Sequence, residues 1–189
     1  MANSQGLVKT GVPPQPLWLL YIKIAIIVLS LITLGLAAWA IDMLGGFYWY
    51  GGSYTGTGGM VVFTSIWSFI VYGAAVVLEL WAPHFFFRLG ALIGYILHII
   101  FWLSAWAWSA SAAAWTSSGN YAAATGACAG LGALIWVLSI VHLVFFIRAS
   151  LADPEGNGAG QAELGQVKPA GQQYPAQQAY PAQQPYATQ

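Results

Sequence analysis

Four unbroken apolar stretches, Leu17 to Ile41, Met60 to Trp81, Phe85 to Ser109 and Ala123 to Ile147, limit what this chain can fold into. Each is long enough to cross a hydrocarbon core about 30 Å thick, which takes roughly 20 helical residues. A backbone amide left unpaired in lipid costs several kcal/mol, so each stretch is expected to be an α-helix that pairs its own amides. A transmembrane β-barrel would alternate in polarity, and Ile24-Ala25-Ile26-Ile27-Val28-Leu29 does not. Composition agrees: 59% of the 189 residues are hydrophobic and 5% charged, against about 25% charged in a soluble domain. A water-soluble globule is excluded.

The charges are few enough to name. Lys9, Lys23, Arg88, Arg148 and Lys168 are basic; Asp42, Glu79, Asp153, Glu155 and Glu163 are acidic. Five scattered cations make no basic face for phosphates, so nucleic acid is not a partner. All five lie at the start of the first span, in the turn between the second and third, or after the fourth. The two opposite loops, Asp42 to Gly59 and Ala110 to Ala122, contain no Lys or Arg. The positive-inside bias therefore puts both termini in the cytosol. The single cysteine, Cys128, excludes an intramolecular disulfide and a cysteine-based metal site.

The fold class expected is all-α: an antiparallel four-helix transmembrane bundle with a disordered cytosolic C-terminal tail. Residues 1–16 form a cytosolic leader, and residues 17–149 the membrane domain, with helices at about 17–41, 60–82, 85–115 and 122–148. Residues 150–189 form the tail. Pro16 suits a helix start, and Pro83-His84 marks a tight inner turn. The alanine-rich run after Ser109 extends the third helix past the membrane surface, with Thr116 to Asn120 as the turn. The first outer loop, with Gly45-Gly46, Gly51-Gly52, Gly56 and Gly58-Gly59 among Phe47, Tyr48, Trp49, Tyr50 and Tyr54, reads as irregular chain whose rings rest in the headgroup layer as an interfacial belt or, in the sharper reading, contact a lipid or partner. In the tail, Tyr174-Pro175-Ala176-Gln177-Gln178 recurs as Tyr180-Pro181-Ala182-Gln183-Gln184 and decays at Tyr186. Such a segment buries too little apolar surface to offset its ordering entropy. It reads as a spacer or as a multivalent docking strand for a cytosolic partner, with Tyr174, Tyr180 and Tyr186 as the contacts.

Polar residues inside the spans need a reason, because a buried charge there costs a few kcal/mol. Lys23 and Glu79 lie at similar depths near the inner face and are a candidate ion pair between the first two helices. Arg88 and Arg148, at the inner boundary, are candidate headgroup contacts. His98 lies about 20 Å from the inner face by residue count and His142 about 8 Å, too far apart to share a metal. Each imidazole is expected to hydrogen-bond within the bundle. A proton or ion path through Glu79, His142 and His98 is the alternative reading, that of a transporter or channel component. Gly90 with Gly94, and Gly126 with Gly130, place small residues on one helix face and are candidate helix-packing or lipid contacts. With no cluster of His, Asp or Cys near either face, the reading is non-enzymatic, without cofactor or metal.

Four spans, cytosolic ends, a short inner turn, Lys23 at the start of the first span, Glu79-Leu80-Trp81 closing the second and Arg88 at the turn resemble the MARVEL-domain tetraspan family. The likeness is to its fungal plasma-membrane members and, more distantly, to synaptophysin and synaptogyrin, whose tails the Tyr-Pro-Gln repeats also resemble. It covers about residues 15–150. It implies a protein that organises membrane domains or vesicle traffic at the plasma membrane or in secretory vesicles. The implied partners are membrane lipids, sterol among them, and further copies of the chain or other membrane proteins. The paired outer-loop cysteines of the vesicle proteins are missing here.

Overall fold

The computed structural model describes residues 5–43, 53–116 and 119–152. Four long helices form within them: α1, Leu17–Met43; α2, which runs as α-helix over Ser53–Ser68, as a π-turn over Phe69–Gly73 and again as α-helix over Ala74–Trp81; α3, Arg88–Trp115; and α4, Asn120–Ala152. All four are long and apolar enough to cross a membrane. Each packs on the next, and α4 closes back on α1, so the bundle runs up and down with short connections. No β-strand occurs among the described residues.

What each helix turns inward follows a seven-residue rhythm. On α1 the buried positions include Leu19, Lys23, Ile26, Ser30, Thr33, Ala37 and Ala40; on α3 Tyr95, His98, Trp102, Ala105, Ser109 and Ala112; on α4 Cys128, Gly132, Ile135, Ser139, His142 and Phe146. Steps of three and four alternate, which is the packing of left-handed helical bundles. The polarity is inverted relative to a soluble bundle. Ser, Thr, His and Lys face in, while Val28, Leu31, Ile32, Ile66, Ile96, Ile100, Leu134 and Val137 face out. Lipid is as apolar as leucine, so large aliphatic side chains gain nothing by facing inward, and small or hydrogen-bonding residues hold the helices together.

Three boundaries differ from the sequence expectation by more than two residues. Helix α2 begins at Ser53, so Gly56, Gly58 and Gly59 are helical and not loop. Two of them serve close packing: a Cβ on Gly56 would lie 2.9 Å from the Trp108 ring and one on Gly58 2.6 Å from Ile41, while Gly59 faces open space. Helix α3 begins at Arg88, because Pro83–Phe85 forms a 3-10 turn and Phe86 is extended. Helix α4 extends to Ala152. The loop aromatics from Phe47 to Tyr50 and the tail tyrosines Tyr174, Tyr180 and Tyr186 lie outside the described residues.

The leader is not a free extension. After one helical turn at Gln5–Val8 it crosses the end of the bundle beside the Pro83 turn. Thr10 forms an antiparallel bridge with Phe87, the Gly11 amide donates to the Phe86 carbonyl at 2.8 Å, and Pro13 is buried. Gly11 makes the bend at φ 102°, a conformation that glycine reaches without a Cβ clash.

Candidate functional site

Two layers of polar side chains occupy the half of the bundle nearer the leader. In the first, Lys23 of α1 donates from Nζ to both carboxylate oxygens of Glu79 on α2, and to Gln15 Oε1 of the leader at 3.2 Å. Both charges are withdrawn from the surface, with Lys23 1% and Glu79 12% exposed. The sequence places these two residues at one depth, and the bundle brings them into contact. Gln15, which sequence reasoning did not connect to the pair, completes the lysine's coordination from outside the helices.

The second layer is aromatic and titratable. Tyr72 sits on the π-turn of α2, and its ring centroid lies 4.8 Å from that of His98, 5.3 Å from His142 and 5.2 Å from Tyr95. Tyr95 in turn meets His142 edge-on at 4.7 Å. The π-turn adds a residue to one turn of α2, and such insertions mark functional positions in many helices. His98 Nδ1 lies 3.5 Å from Ser68 Oγ, which accepts from Trp102 Nε1 at 2.9 Å. His98 Nε2 and both nitrogens of His142 have no hydrogen-bond partner among the described residues.

This overturns the depth assigned to the two histidines by residue count. The residue count starts the third span at Phe85 and ends the fourth at Ile147. With α3 starting at Arg88 and α4 ending at Ala152, each histidine lies ten residues from its own helix end, about 15 Å in, and both rings reach Tyr72. The expectation of an internal hydrogen bond fits His98 but not His142. Among the described residues, no group of three His, Cys, Asp or Glu converges as a metal would require.

Arg88 also departs from its expected place. It is fully buried, and Nε donates at 2.8 Å to the Gly11 carbonyl of the leader, so it ties the leader down instead of reaching headgroups. Arg148 is exposed near the end of α4. Of the four glycines singled out, Gly94 packs on Val71 of α2 and Gly126 on Ala113 of α3, while Gly90 meets only Phe87 and Gly130 is exposed with nothing near it. The tight α3–α4 contact is at Gly132, where a Cβ would stand 2.9 Å from Trp106 and 3.1 Å from Trp102.

At the other end of the bundle a small cavity lies among all four helices. Ala37, Thr57, Ser109 and Cys128 contribute to its wall, and it has room for about one water molecule.

A bundle of four apolar helices with polar interior stripes defines the chain as an integral multi-pass membrane protein. Comparison with protein-family models, with curated proteins and with solved structures returns no match for it.

Proposed function

We propose that this chain is a non-enzymatic membrane-organising tetraspan of the MARVEL type, acting through the lipid-facing surfaces of its helices and through its cytosolic tail. The observation that carries the reading is the filled interior. The inward stripes of all four helices interlock, the inner end is crossed by the leader, and the cavity at the far end has room for only about one water. Recognition of lipids or protein partners then falls to the outward faces and the tail. The leader lies on the Pro83 turn, and Lys9, Arg88 and Arg148 gather at that end, which supports placing both termini in the cytosol. The plasma membrane or secretory vesicles, with lipids including sterol, further copies of the chain and other membrane proteins as partners, complete the proposal.

A second reading rests on one specific observation: two imidazoles meet on Tyr72, and His142 leaves both ring nitrogens unpartnered close to the Lys23–Glu79 pair. That arrangement would suit a proton path through Glu79, His142 and His98. Flux in reconstituted vesicles separates the two. A conduit loses flux in Glu79→Gln and His142→Phe. An organiser shows no flux to lose, and changes localisation or partners when the chain is cut after Arg148.

A further inference from the structure

Hydroxyl side chains in the membrane helices of this protein follow a local rule. Thr33 donates to the Leu29 carbonyl, Ser65 to Val61, Ser68 to Thr64, Thr125 to Tyr121 and Ser139 to Ile135, each to the carbonyl four residues back. That bond satisfies the hydroxyl within its own helix and needs nothing from outside. Thr57 of α2 and Ser109 of α3 do not follow the rule. Both are buried, at 2% and 0% exposure, and neither Oγ1 of Thr57 nor Oγ of Ser109 has a hydrogen-bond partner among the described residues.

The two lie together on the wall of the cavity at the outer end of the bundle. Ser30 and Ser150 are also unpartnered, yet neither borders that cavity. Small residues create the space: Ala37 and Ala40 of α1 and Gly58 of α2 line it, and Cys128 of α4 adds a weakly polar sulfur. The room suffices for about one water, and a water held in a protein takes two to four polar partners. Thr57 and Ser109 provide two, each able to donate or accept. Tyr121 and Thr125 also border the space, but the Thr125 hydroxyl is already given to the Tyr121 carbonyl and the Cys128 thiol faces the Thr33 carbonyl, which leaves Thr57 and Ser109 as the two uncommitted hydroxyls. The wall residues are uncharged, so an ion has no counter-charge there.

We propose that this cavity is a binding site for a single hydroxyl group, held between Thr57 Oγ1 and Ser109 Oγ with the Cys128 thiol as part of the wall. The hydroxyl comes either from a trapped water or from the alcohol head of a membrane lipid, and both present the same oxygen to the same two side chains.

The test is a structure of the full chain at a resolution that shows ordered water, determined in phosphatidylcholine nanodiscs with and without a long-chain alcohol. The site predicts density within hydrogen-bonding reach of both hydroxyl oxygens. Compact density that is the same in both bilayers identifies water, and density that lengthens only with the alcohol identifies a lipid head. Absence of density touching both oxygens in either bilayer overturns the proposal. A second readout is thermal unfolding of Thr57→Val, Ser109→Ala and the double variant. A shared hydroxyl makes the substitutions non-additive, each single change giving most of the shift of the double. Strictly additive shifts overturn the shared site.

Discussion

Lys23 and Glu79, fifty-six residues apart in the chain, form an ion pair that joins α1 to α2 and is completed by Gln15 of the leader. Removing one partner of a buried pair leaves the other charge uncompensated, at about 3–5 kcal/mol. Lys23→Met and Glu79→Gln are each expected to destabilise the bundle on that scale, and Lys23→Met with Glu79→Leu to recover most of the loss. Unfolding in detergent checks this. Single substitutions that cost no more than a surface change would show that both groups reach water.

The two histidines should respond differently to replacement by leucine. His142 brings two unpartnered nitrogens into the core, and an unsatisfied buried polar group costs about 1–3 kcal/mol. His142→Leu is therefore expected to be neutral or stabilising by ~1 kcal/mol. His98 leaves only Nε2 unpartnered, and its Nδ1 faces Ser68, which also holds Trp102, so the lost contact outweighs the relieved nitrogen and His98→Leu should destabilise. Thermal unfolding of the two variants side by side gives the sign of each.

Gly132 and Gly130 offer a second matched pair. A methyl group at Gly132 meets Trp106 and Trp102, and overpacking of this kind costs roughly 1–3 kcal/mol. Gly130 faces open space, where alanine is worth up to about 1 kcal/mol in helix propensity. Gly132→Ala should lower the melting temperature, and Gly130→Ala should hold or raise it.

The clamp on the leader can be read by hydrogen exchange. A hydrogen bond to a charged donor contributes about 1.5–3 kcal/mol. Loss of the bond from Arg88 to the Gly11 carbonyl in Arg88→Met should speed exchange of the Gly11 amide, which is bonded to Phe86, by at least about tenfold. Protection unchanged from the wild-type chain would mean that the leader is held by other contacts.

Span length alone located the four helices, and equal depth alone paired Lys23 with Glu79. The start of α2 was hidden because glycine read as a loop signal, whereas at Gly56 and Gly58 it marks where Trp108 and Ile41 come too close for a side chain. The histidine layer was hidden by an error of a few residues at two helix ends, enough to separate two groups that share Tyr72. One signal was available in the sequence. Within the spans, Lys23, Ser30 and Ala37 recur at seven-residue intervals, as do Tyr95, Trp102 and Ser109, and that rhythm marks the inward face of each helix. The leader's return could not have been read this way, because it rests on backbone pairing between Thr10 and Phe87 and on one arginine reaching a carbonyl.

The proposed role in membrane organisation is tested most directly by extracting the full chain in native membrane nanodiscs and determining its oligomeric state together with the lipids and proteins it retains. The expected result is an assembly with further copies or another membrane protein, carrying retained lipid that includes sterol. A monomer with neither retained sterol nor a partner would contradict it.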